Sequence, residues 1–385
     1  MKILMVHPHD LYSKLEPWTV RIKYIAQEFV KFGHQVRLVY FPLFGRLQNK
    51  NEPLTNECYE EIPFPRKKKC IFHNILRMQR LAKWADIIHF QKCFSHASLP
   101  ALFASYFCNK PIHYDWDDWE LQIFNYNPPS KVVGYFLNLL EKSIPRLVDT
   151  VSVSSDRLRF LCMELGVNED RIFKAHVGAD LERFNPNISG ERVKKRYRLT
   201  KPTVLYLGQL HGAQYAELFI KAVEILTEKE IEADYMIVGG GARCSELRDV
   251  VDNLGLNRDI VFTGAVKHEE VPEYIAASDI AVACFEDNDI TRCKSPLKIA
   301  EYLASGKPIV ASKVGEVTDM VDGCGILTEP GDPISLAEGI FLLLKDKELR
   351  VQMGHRARKR AEEKYNWTVT AKNLLKAYEL AMEIH

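Results

Sequence analysis

One segment decides the fold: Ser295-Pro-Leu-Lys-Ile-Ala-Glu-Tyr-Leu-Ala-Ser-Gly-Lys-Pro-Ile-Val-Ala-Ser312. Pro296 can begin a helix whose first amides lack partners, Gly306 ends it, and the apolar residues that follow return into a sheet. Lys298 and Glu301 stand three residues apart and share one helix face. Free amides and a lysine attract phosphate, and a carboxylate can accept two vicinal hydroxyls. An ordinary helix–strand pair with a surface contact is the alternative.

Apolar runs alternate with helix-like stretches along the rest of the chain, which predicts parallel sheets covered on both faces. The pattern restarts at residue 203, after the polar stretch 185–201. We therefore predict an α/β fold with two doubly wound, Rossmann-like domains, over residues 1–190 and 191–366. A last helix, 367–385, could cross back to the first domain. Ligands of such sheets bind beyond the carboxyl ends of the strands, so a cleft faced by both domains is the expected site.

Composition restricts the class of protein. The chain has 385 residues, 46% of them hydrophobic, and can bury a large core. It contains no apolar run of transmembrane length and begins directly with a strand pattern, so we expect a cytoplasmic protein, with peripheral attachment to the inner face of the membrane as an option. Nine scattered cysteines without a C-x-x-C pair indicate reduced thiols. A net charge of +1 and the lack of a recognition motif argue against nucleic acid as a partner.

Charge is distributed unevenly along the chain. Residues 1–190 carry 25 Lys+Arg against 20 Asp+Glu, whereas residues 191–385 carry 27 against 31. The basic excess includes Arg66-Lys-Lys-Lys69 and the basic, partly apolar stretch Ile71–Trp84. Such a segment could rest on an anionic membrane surface. A solvated helix surface is the alternative.

Six motifs follow one another in order, the last of them within the opening segment: Gly33-His-Gln-Val36, Val177-Gly-Ala-Asp-Leu-Glu-Arg-Phe184, Leu205-Tyr-Leu-Gly208, Val238-Gly-Gly-Gly241, Val261-Phe-Thr-Gly-Ala-Val266 and Glu301-Tyr-Leu-Ala-Ser-Gly-Lys-Pro-Ile-Val310. Together they resemble the family-4 glycosyltransferases, retaining enzymes of the GT-B architecture that use nucleotide sugars. The second resembles the signature Asn-Gly-Val-Asp-x-x-x-Phe, and the last resembles the end of the family's acidic motif. The likeness covers nearly the whole chain.

The resemblance implies transfer of a sugar from a nucleoside-diphosphate sugar to a hydroxyl of a glycan or a lipid-linked acceptor. The departing diphosphate can itself take the acceptor's proton. No metal cofactor is expected, because no Asp-x-Asp triplet stands at a strand end in the donor domain, where the nearest one, Asp287-Asn-Asp289, lies in an acidic loop. Asp117 and Glu286 are the candidate catalytic residues. The candidate donor-binding residues are Gly208, Gln209, Val266, Arg292, Lys294, Ser295, Leu297, Lys298 and Glu301.

The chain departs from the family pattern in the donor domain. The family commonly has a second acid eight residues before the one matched by Glu301, and that position is Cys293. The loop Phe285–Lys294 could supply Glu286, Asp287 or Asp289 instead. The family's arginine and lysine after the first donor strand are replaced by Gln209 and Gln214. We therefore expect the diphosphate charge to be met by other cations, for which the candidates are Arg292, Lys294 and Lys298.

The acceptor side departs as well. Glu16-Pro17 stands where the family has a glycine pair, and Asp117 where it frequently has a histidine. Asp115, Asp117 and Asp118 alternate with tryptophans, which suggests a sugar-binding edge, and a capped turn with core tryptophans is the alternative. His113 is expected in the core, whereas His176 and His211 are expected near the cleft.

Two other functions remain open. One is a nucleotide-sugar epimerase or phosphorylase of the same architecture. The other is a catalytically silent GT-B protein that binds a sugar nucleotide or a partner. Gln209, Gln214 and Cys293 favour this function, because they replace charged residues of the family pattern.

Overall fold

The computed structural model describes residues 1–13, 19–43, 58–126, 128, 130–210 and 215–385. The chain consists of two compact units, Met1–His176 with Trp367–His385, and Val177–Asn366. The segment 177–190, which the sequence analysis assigned to the first domain, thus lies in the second unit. The predicted positions Glu16, Pro17, His211 and Gln214 lie outside the described residues.

A parallel sheet forms the centre of the first unit. Its strand order is β3-β2-β1-β4-β5-β6-β7, with β1 Lys2–Val6, β2 Gln35–Tyr40, β3 Glu60–Pro63, β4 Ile87–Gln91, β5 Ile112–Trp116, β6 Thr150–Val153 and β7 Ile172–Lys174. The helices before residue 177 are α1 Val20–Lys31, α2 Ile71–Ala82, α3 Ser95–Cys108, α4 Glu120–Tyr126, α5 Lys131–Leu147 and α6 Asp156–Glu164. The central strands are buried, except for Lys2 at the start of β1, because helices cover both faces.

The second unit repeats this plan. Its strand order is β10-β9-β8-β11-β12-β13, with β8 Thr203–Leu207, β9 Asp234–Val238, β10 Ile260–Gly264, β11 Ile280–Ala283, β12 Ile309–Ser312 and β13 Gly325–Thr328. The helices are α7 Glu191–Tyr197, α8 Ala216–Glu228, α9 Cys244–Asn253, α10 Val271–Ala276, α11 Asp289–Cys293, α12 Leu297–Ala304, α13 Gly315–Val321, α14 Pro333–Lys345 and α15 Lys347–Glu363. The two sheets confirm the predicted α/β fold with two doubly wound domains.

The last helix, α16 Trp367–Ile384, belongs to the first unit. The Tyr378 hydroxyl lies 2.7 Å from Nδ1 of His89, and the Thr150 hydroxyl donates to the Ala377 carbonyl at 3.1 Å. Burial lowers the pKa of His89 to about 4, so its imidazole is neutral in this core. The helix therefore completes the first unit by covering polar side chains of β4 and β6.

The helices of the first unit divide between the faces of its sheet. The connections from β3 to β4, β4 to β5 and β5 to β6 all advance in one direction, whereas the connection from β1 to β2 runs the other way. Because parallel crossovers are right-handed, α2, α3 and α5 cover one face and α1 covers the other. Helix α16 packs on α1. Among the described helices, none combines the length and the hydropathy needed to cross a bilayer.

A buried ion pair ties α1 to the centre of this sheet. The Arg21 guanidinium donates to both Asp115 oxygens at 2.8 Å, and it also donates to the carbonyls of Ala175 and His176. The Ser152 hydroxyl adds a third donor to Asp115 at 2.6 Å. The adjacent guanidinium outweighs desolvation and holds the pKa of Asp115 well below its usual range. Asp115 is thus a core residue and not part of a sugar-binding edge.

We predict that Arg21→Met lowers the free energy of unfolding by about 3–5 kcal/mol, because it leaves the Asp115 carboxylate buried without its cation. Arg37→Met is the matched control, since Arg37 pairs with Glu60 at 2.6 Å on the surface and its loss should cost less than about 1 kcal/mol. Urea titration followed by tryptophan fluorescence measures both. Equal losses in the two variants would contradict a structural role for the buried pair.

Candidate functional site

The helix α12 has the bounds that its sequence indicates. Pro296 precedes its first residue, Leu297, and Gly306 follows its end with φ of 66°. The amide of Lys307 donates to the Tyr302 carbonyl at 3.0 Å, which closes the helix in the manner that a glycine in this conformation permits. The next residues enter β12, as predicted. The opening segment is therefore the helix and strand that the sequence indicated.

A tyrosine of α12 joins this helix to the carboxyl end of β8. The Tyr302 hydroxyl accepts the amide of Leu207, the last residue of β8, at 3.0 Å. The candidate donor residues Gly208 and Gln209 follow immediately. The order of strands changes direction between β8 and β11, and the crevice at such a switch point is where doubly wound sheets bind ligands.

The glycine loop, residues 238–241, packs against the backbone of the segment that follows β8. A Cβ on Gly239 would lie 1.8 Å from the Gly208 carbonyl oxygen, and one on Gly241 would lie 2.2 Å from the Leu210 carbonyl oxygen. Only glycine admits this approach. These glycines therefore place the loop after β8, and no contact here assigns them to a phosphate.

Lys298 is held over aromatic rings at the same edge. Its Nζ lies 4.6 Å from the ring centre of Tyr206 and 5.8 Å from that of Phe285. Desolvation lowers the pKa of Lys298 to about 8, and no carboxylate in the described part of the chain forms an ion pair with it. An ammonium in this state is an attractive site for a phosphate, because the anion would supply the missing charge.

Glu301 faces a histidine that the sequence analysis did not single out. The Glu301 carboxylate is nearly buried and lies 2.7 Å from Nε2 of His268, in the segment after β10. His268 also lies against the Phe184 ring, with 5.8 Å between ring centres. Val266, a candidate donor residue, precedes His268 on the same segment and packs against the core. Helix α12 and the end of β10 therefore present one polar pair with fixed geometry.

The acidic loop after β11 is arranged by its own hydrogen bonds. The Asn288 side chain caps α11 by accepting from the Thr291 amide at 3.0 Å, and the Thr291 hydroxyl donates to the Glu286 carbonyl at 2.7 Å. Arg292 binds both oxygens of Asp287, at 2.6 and 2.9 Å, so its charge is already matched. The Glu286 side chain is exposed. Of the three proposed cations, Lys298 is thus better placed than Arg292 to meet a diphosphate.

The remaining candidates border the start of α12. Lys294 ends the acidic loop and is partly exposed, and the Ser295 hydroxyl lies 3.9 Å from the sulfur of Met320. Leu297 is the first residue of the helix. Cys293, at the position of the family's second acid, is buried and cannot replace a carboxylate at the surface of the site. All nine cysteines are described, and each is a free thiol.

The candidate catalytic residue Asp117 belongs to an acidic cluster in the first unit. It follows β5, and Lys92 follows the neighbouring strand β4 with φ of 64°, a conformation that is strained for lysine. The Lys92 ammonium lies 3.2 Å from Asp117, 3.5 Å from Asp118 and in hydrogen-bond contact with Glu120. The three carboxylates lie close enough together to hold a metal ion, but the lysine already supplies a cation to them.

Hydrogen bonds connect this cluster to β1 and to α5. Gln91 donates to Asp117 at 2.7 Å and lies 2.8 Å from the His7 ring. The Glu141 carboxylate of α5 accepts from the indole of Trp116 at 3.1 Å, and it also accepts the amides of Glu120 and Leu121. Trp116 is therefore a core tryptophan.

Burial raises three carboxyl pKa values in this region. The pKa rises to about 6 for Asp117, where Asp118 also contributes, and to about 7 for Glu120, while Lys92 opposes both shifts. For Glu141 it rises to about 8, with the charge of Glu120 as the second cause. The cluster therefore retains protons close to neutral pH. His113, as expected, is a core residue and lies 2.9 Å from the hydroxyls of both Thr150 and Ser152.

Two doubly wound units agree with the GT-B architecture that the sequence predicts. Family models match in the same order as the units: "Glycosyltransferase Family 4" over residues 19–183 and "Glycosyl transferases group 1" over residues 188–360. The chain belongs to the family-4 glycosyltransferases of the GT-B architecture. The resemblance noted from the sequence is thereby confirmed.

Known proteins agree with this assignment. The crystal structure of HepE from Anabaena in complex with UDP superposes with a TM-score of 0.77 at 16% identity, over 98% of this chain and 100% of that one, which shows the shared fold. The uncharacterized glycosyltransferase MJ1607 of Methanocaldococcus jannaschii is 27% identical over 61% of this chain and 60% of its own length. The D-inositol 3-phosphate glycosyltransferase of Corynebacterium jeikeium is 28% identical over 52% of this chain and 50% of its own length. The two sequence alignments thus span only about half to three fifths of the length of these relatives.

The acidic cluster predicts a stability that depends on pH. Because the folded state raises the pKa of Glu120 and Glu141, it holds protons that the unfolded state releases, and their contribution to stability falls as pH rises from about 5 to about 8. The neutral burial of His89, whose pKa is lowered, acts in the opposite direction up to about pH 6.5, so the net fall is expected above that value. We expect a fall on the order of 2–4 kcal/mol. Glu141→Gln should remove the part of this fall that occurs at the higher pH values, near the pKa of Glu141.

Urea midpoints measured across this pH range test the prediction. Glu164→Gln is the control, because Glu164 is exposed on α6 and its removal should leave the pH dependence as in the wild type. An unchanged pH dependence in Glu141→Gln would show that Glu141 is ionised throughout and would refute the raised pKa.

Proposed function

We propose that this protein is a retaining glycosyltransferase that moves a sugar from a nucleoside-diphosphate sugar to a hydroxyl of a glycan or lipid-linked acceptor. The donor binds at the carboxyl edge of the second unit's sheet. Glu301, oriented by His268, accepts ribose hydroxyls, and Lys298 binds the diphosphate. The observation that carries the proposal is the position of Lys298. Its ammonium lies over the rings of Tyr206 and Phe285 and forms no ion pair with a carboxylate of the described residues. It lies one helical turn from Glu301, which is nearly buried.

The relatives support the same reading. Those cited above bear names of glycosyltransferases, and the structurally similar HepE was crystallised in complex with UDP. For this chain, a pyrophosphate placed beside Lys298 would lie next to the start of α12, where unpaired amides favour anions. Stabilisation of the leaving group is then the main contribution of the protein to the reaction.

We propose a metal-independent reaction. The Asp-x-Asp triplet of the second unit is 287–289. Arg292 binds the Asp287 carboxylate and the Asn288 side chain caps α11, so both side chains already have partners within the loop. Glu286, exposed beside it, remains the candidate that contacts the sugar. In the first unit, Asp117 is the candidate that binds the acceptor hydroxyl, and its raised pKa lets it exchange a proton near pH 6.

Turnover decides between this function and a silent binding protein. The purified chain is incubated with a panel of sugar nucleotides, with and without simple glycan and polyprenyl phosphate acceptors, and release of the nucleoside diphosphate is followed. The anomeric configuration of the product, read by NMR, tests retention. Binding without release of nucleotide from any donor would support the silent GT-B protein, and dependence of the rate on added manganese would refute the metal-independent reaction.

We predict that Glu301→Gln weakens binding of the preferred nucleotide by about 1–3 kcal/mol, because a charge-assisted hydrogen bond to the ribose is lost while α12 survives. Calorimetry measures the affinity. His268→Gln should weaken binding less, since it only orients Glu301. Glu329→Gln, an exposed change just beyond β13, is the control and should bind as the wild type does. Unchanged affinity in a folded Glu301→Gln protein would remove this residue from the site.

A second prediction concerns the diphosphate. Lys298→Ala should weaken binding of a nucleoside diphosphate by about ten- to a hundredfold and leave binding of the free nucleoside unchanged. Arg292→Ala should have a far smaller effect, because Arg292 is engaged by Asp287.

The lowered pKa of Lys298 gives this prediction a pH signature. The ammonium is present below about pH 8 and is lost above it, so affinity for the diphosphate should fall as pH rises through that value. The Lys298→Ala protein should lack this fall. A fall of equal size in the variant would assign the diphosphate to another cation, such as Lys294.

A further inference from the structure

Large apolar side chains are exposed on two neighbouring helices of the first unit. Tyr106 and Phe107, at the end of α3, are 80% and 62% exposed, and Tyr135 and Phe136 of α5 are 66% and 57% exposed. Val132 and Leu139 extend the row along α5 at helical spacing. We call these six residues the aromatic surface. Monomeric proteins rarely leave groups of large apolar side chains like these in water without an interaction partner.

The aromatic surface lies on one face of the unit. Helices α2, α3 and α5 lie on the same side of the sheet, and α3 contacts both of the others. The rings of Tyr106 and Phe107 lie 5.4 Å apart, and those of Tyr135 and Phe136 lie 5.7 Å apart. On α2, Phe72 and Leu76 are exposed as well. The three helices therefore present apolar side chains in the same general direction.

The exposed charges of α2, α3 and α5 have one sign. Helix α2 contains Arg77 and Arg80 and no acid, and α3 contains no charged residue. On α5 the exposed charges are Lys131, Lys142 and Arg146, and its one acid, Glu141, is buried against Trp116 and the start of α4. The basic run 66–69 leads into α2. A partner of this face must therefore be apolar at its contact and negatively charged beside it.

We infer that the aromatic surface binds an anionic phospholipid bilayer. Tyrosine and phenylalanine side chains enter the boundary between headgroups and acyl chains, and the long stems of Lys142 and Arg146 let their charges reach lipid phosphates. The basic run 66–69, the segment first expected to meet a membrane, adds long-range attraction. The insertion itself belongs to α3 and α5. This surface lies outside the donor site, and its binding to lipid requires no sugar nucleotide.

Vesicle flotation of the full chain tests the inference. We expect binding to vesicles of phosphatidylcholine mixed with phosphatidylglycerol, weaker binding to phosphatidylcholine alone, and loss of binding as salt is raised. The double variant Tyr135→Ser/Phe136→Ser should bind at least about tenfold less, because its inserted apolar area is lost. Leu342→Ser is the matched control, since Leu342 is 54% exposed on α14 and belongs to the second unit.

A second pair of variants isolates the charges. Lys142→Glu/Arg146→Glu should weaken binding to anionic vesicles at least about thirtyfold. Lys372→Glu/Lys376→Glu makes the same change of net charge at the same spacing, on exposed positions of α16 on the other face of the sheet, and should retain binding. Hydrogen exchange of the wild type with and without vesicles adds a readout without mutation, with protection expected at the end of α3 and the first half of α5.

Three results would overturn the inference. One is a wild-type protein that does not float with anionic vesicles at low salt. Another is a Leu342→Ser variant that loses as much binding as Tyr135→Ser/Phe136→Ser. The third is a dimer that dissociates in Tyr135→Ser/Phe136→Ser and does not bind vesicles, which would assign the face to a second copy of the chain. Vesicle binding and sugar transfer are measured separately, so the failure of one is distinguishable from the failure of the other.

Discussion

The hydrogen bond from the Leu207 amide to the Tyr302 hydroxyl determines where the candidate donor site lies. Leu207 is the last residue of β8, where the sheet's ladder ends and a buried amide needs another partner. Tyr302 supplies it from α12, and this fixes the helix against the switch point of the sheet. Lys298 and Glu301 share that helix, so one tyrosine sets the position of a cation and an anion together. The Gly239 contact with Gly208 holds the other side of the same edge.

The local sequence pattern was sufficient to predict helices and strands, but it could not predict contacts between side chains that are far apart in the sequence. The bounds of α12 follow from Pro296, Gly306 and the apolar run behind them, all of which act within a few residues. Lys298 and Glu301 could be selected for the same reason. His268 could not, because it is 33 positions from Glu301 and only the folding of β10 beside β9 brings it near. Lys92 could not be selected from the sequence either. Its positive φ directs it toward Asp117, and the residue type gives no indication of that backbone conformation.

Neighbouring carboxylates illustrate why composition does not give chemistry. Asp115 and Asp117 are two positions apart, yet the guanidinium of Arg21 lowers the pKa of the first while burial raises that of the second. The alternation of a strand points the first into the sheet's covered interior, whereas the second stands where the strand has ended. The sequence analysis treated both as members of one edge. The contacts of each carboxylate in the folded protein distinguish a structural acid from one that can exchange protons.

Helix α16 has a consequence for the order in which the chain folds during synthesis. The second unit is continuous in sequence, from Val177 to Asn366, whereas the first is interrupted by it and takes its last helix from residues that follow. A ribosome therefore releases every residue of the second unit before it releases α16. Until then, His89 and Thr150 lack the partners that Tyr378 and Ala377 provide. The half of the chain that is made first is thus the last to reach its native structure, and it exposes an unfinished core to chaperones in the meantime.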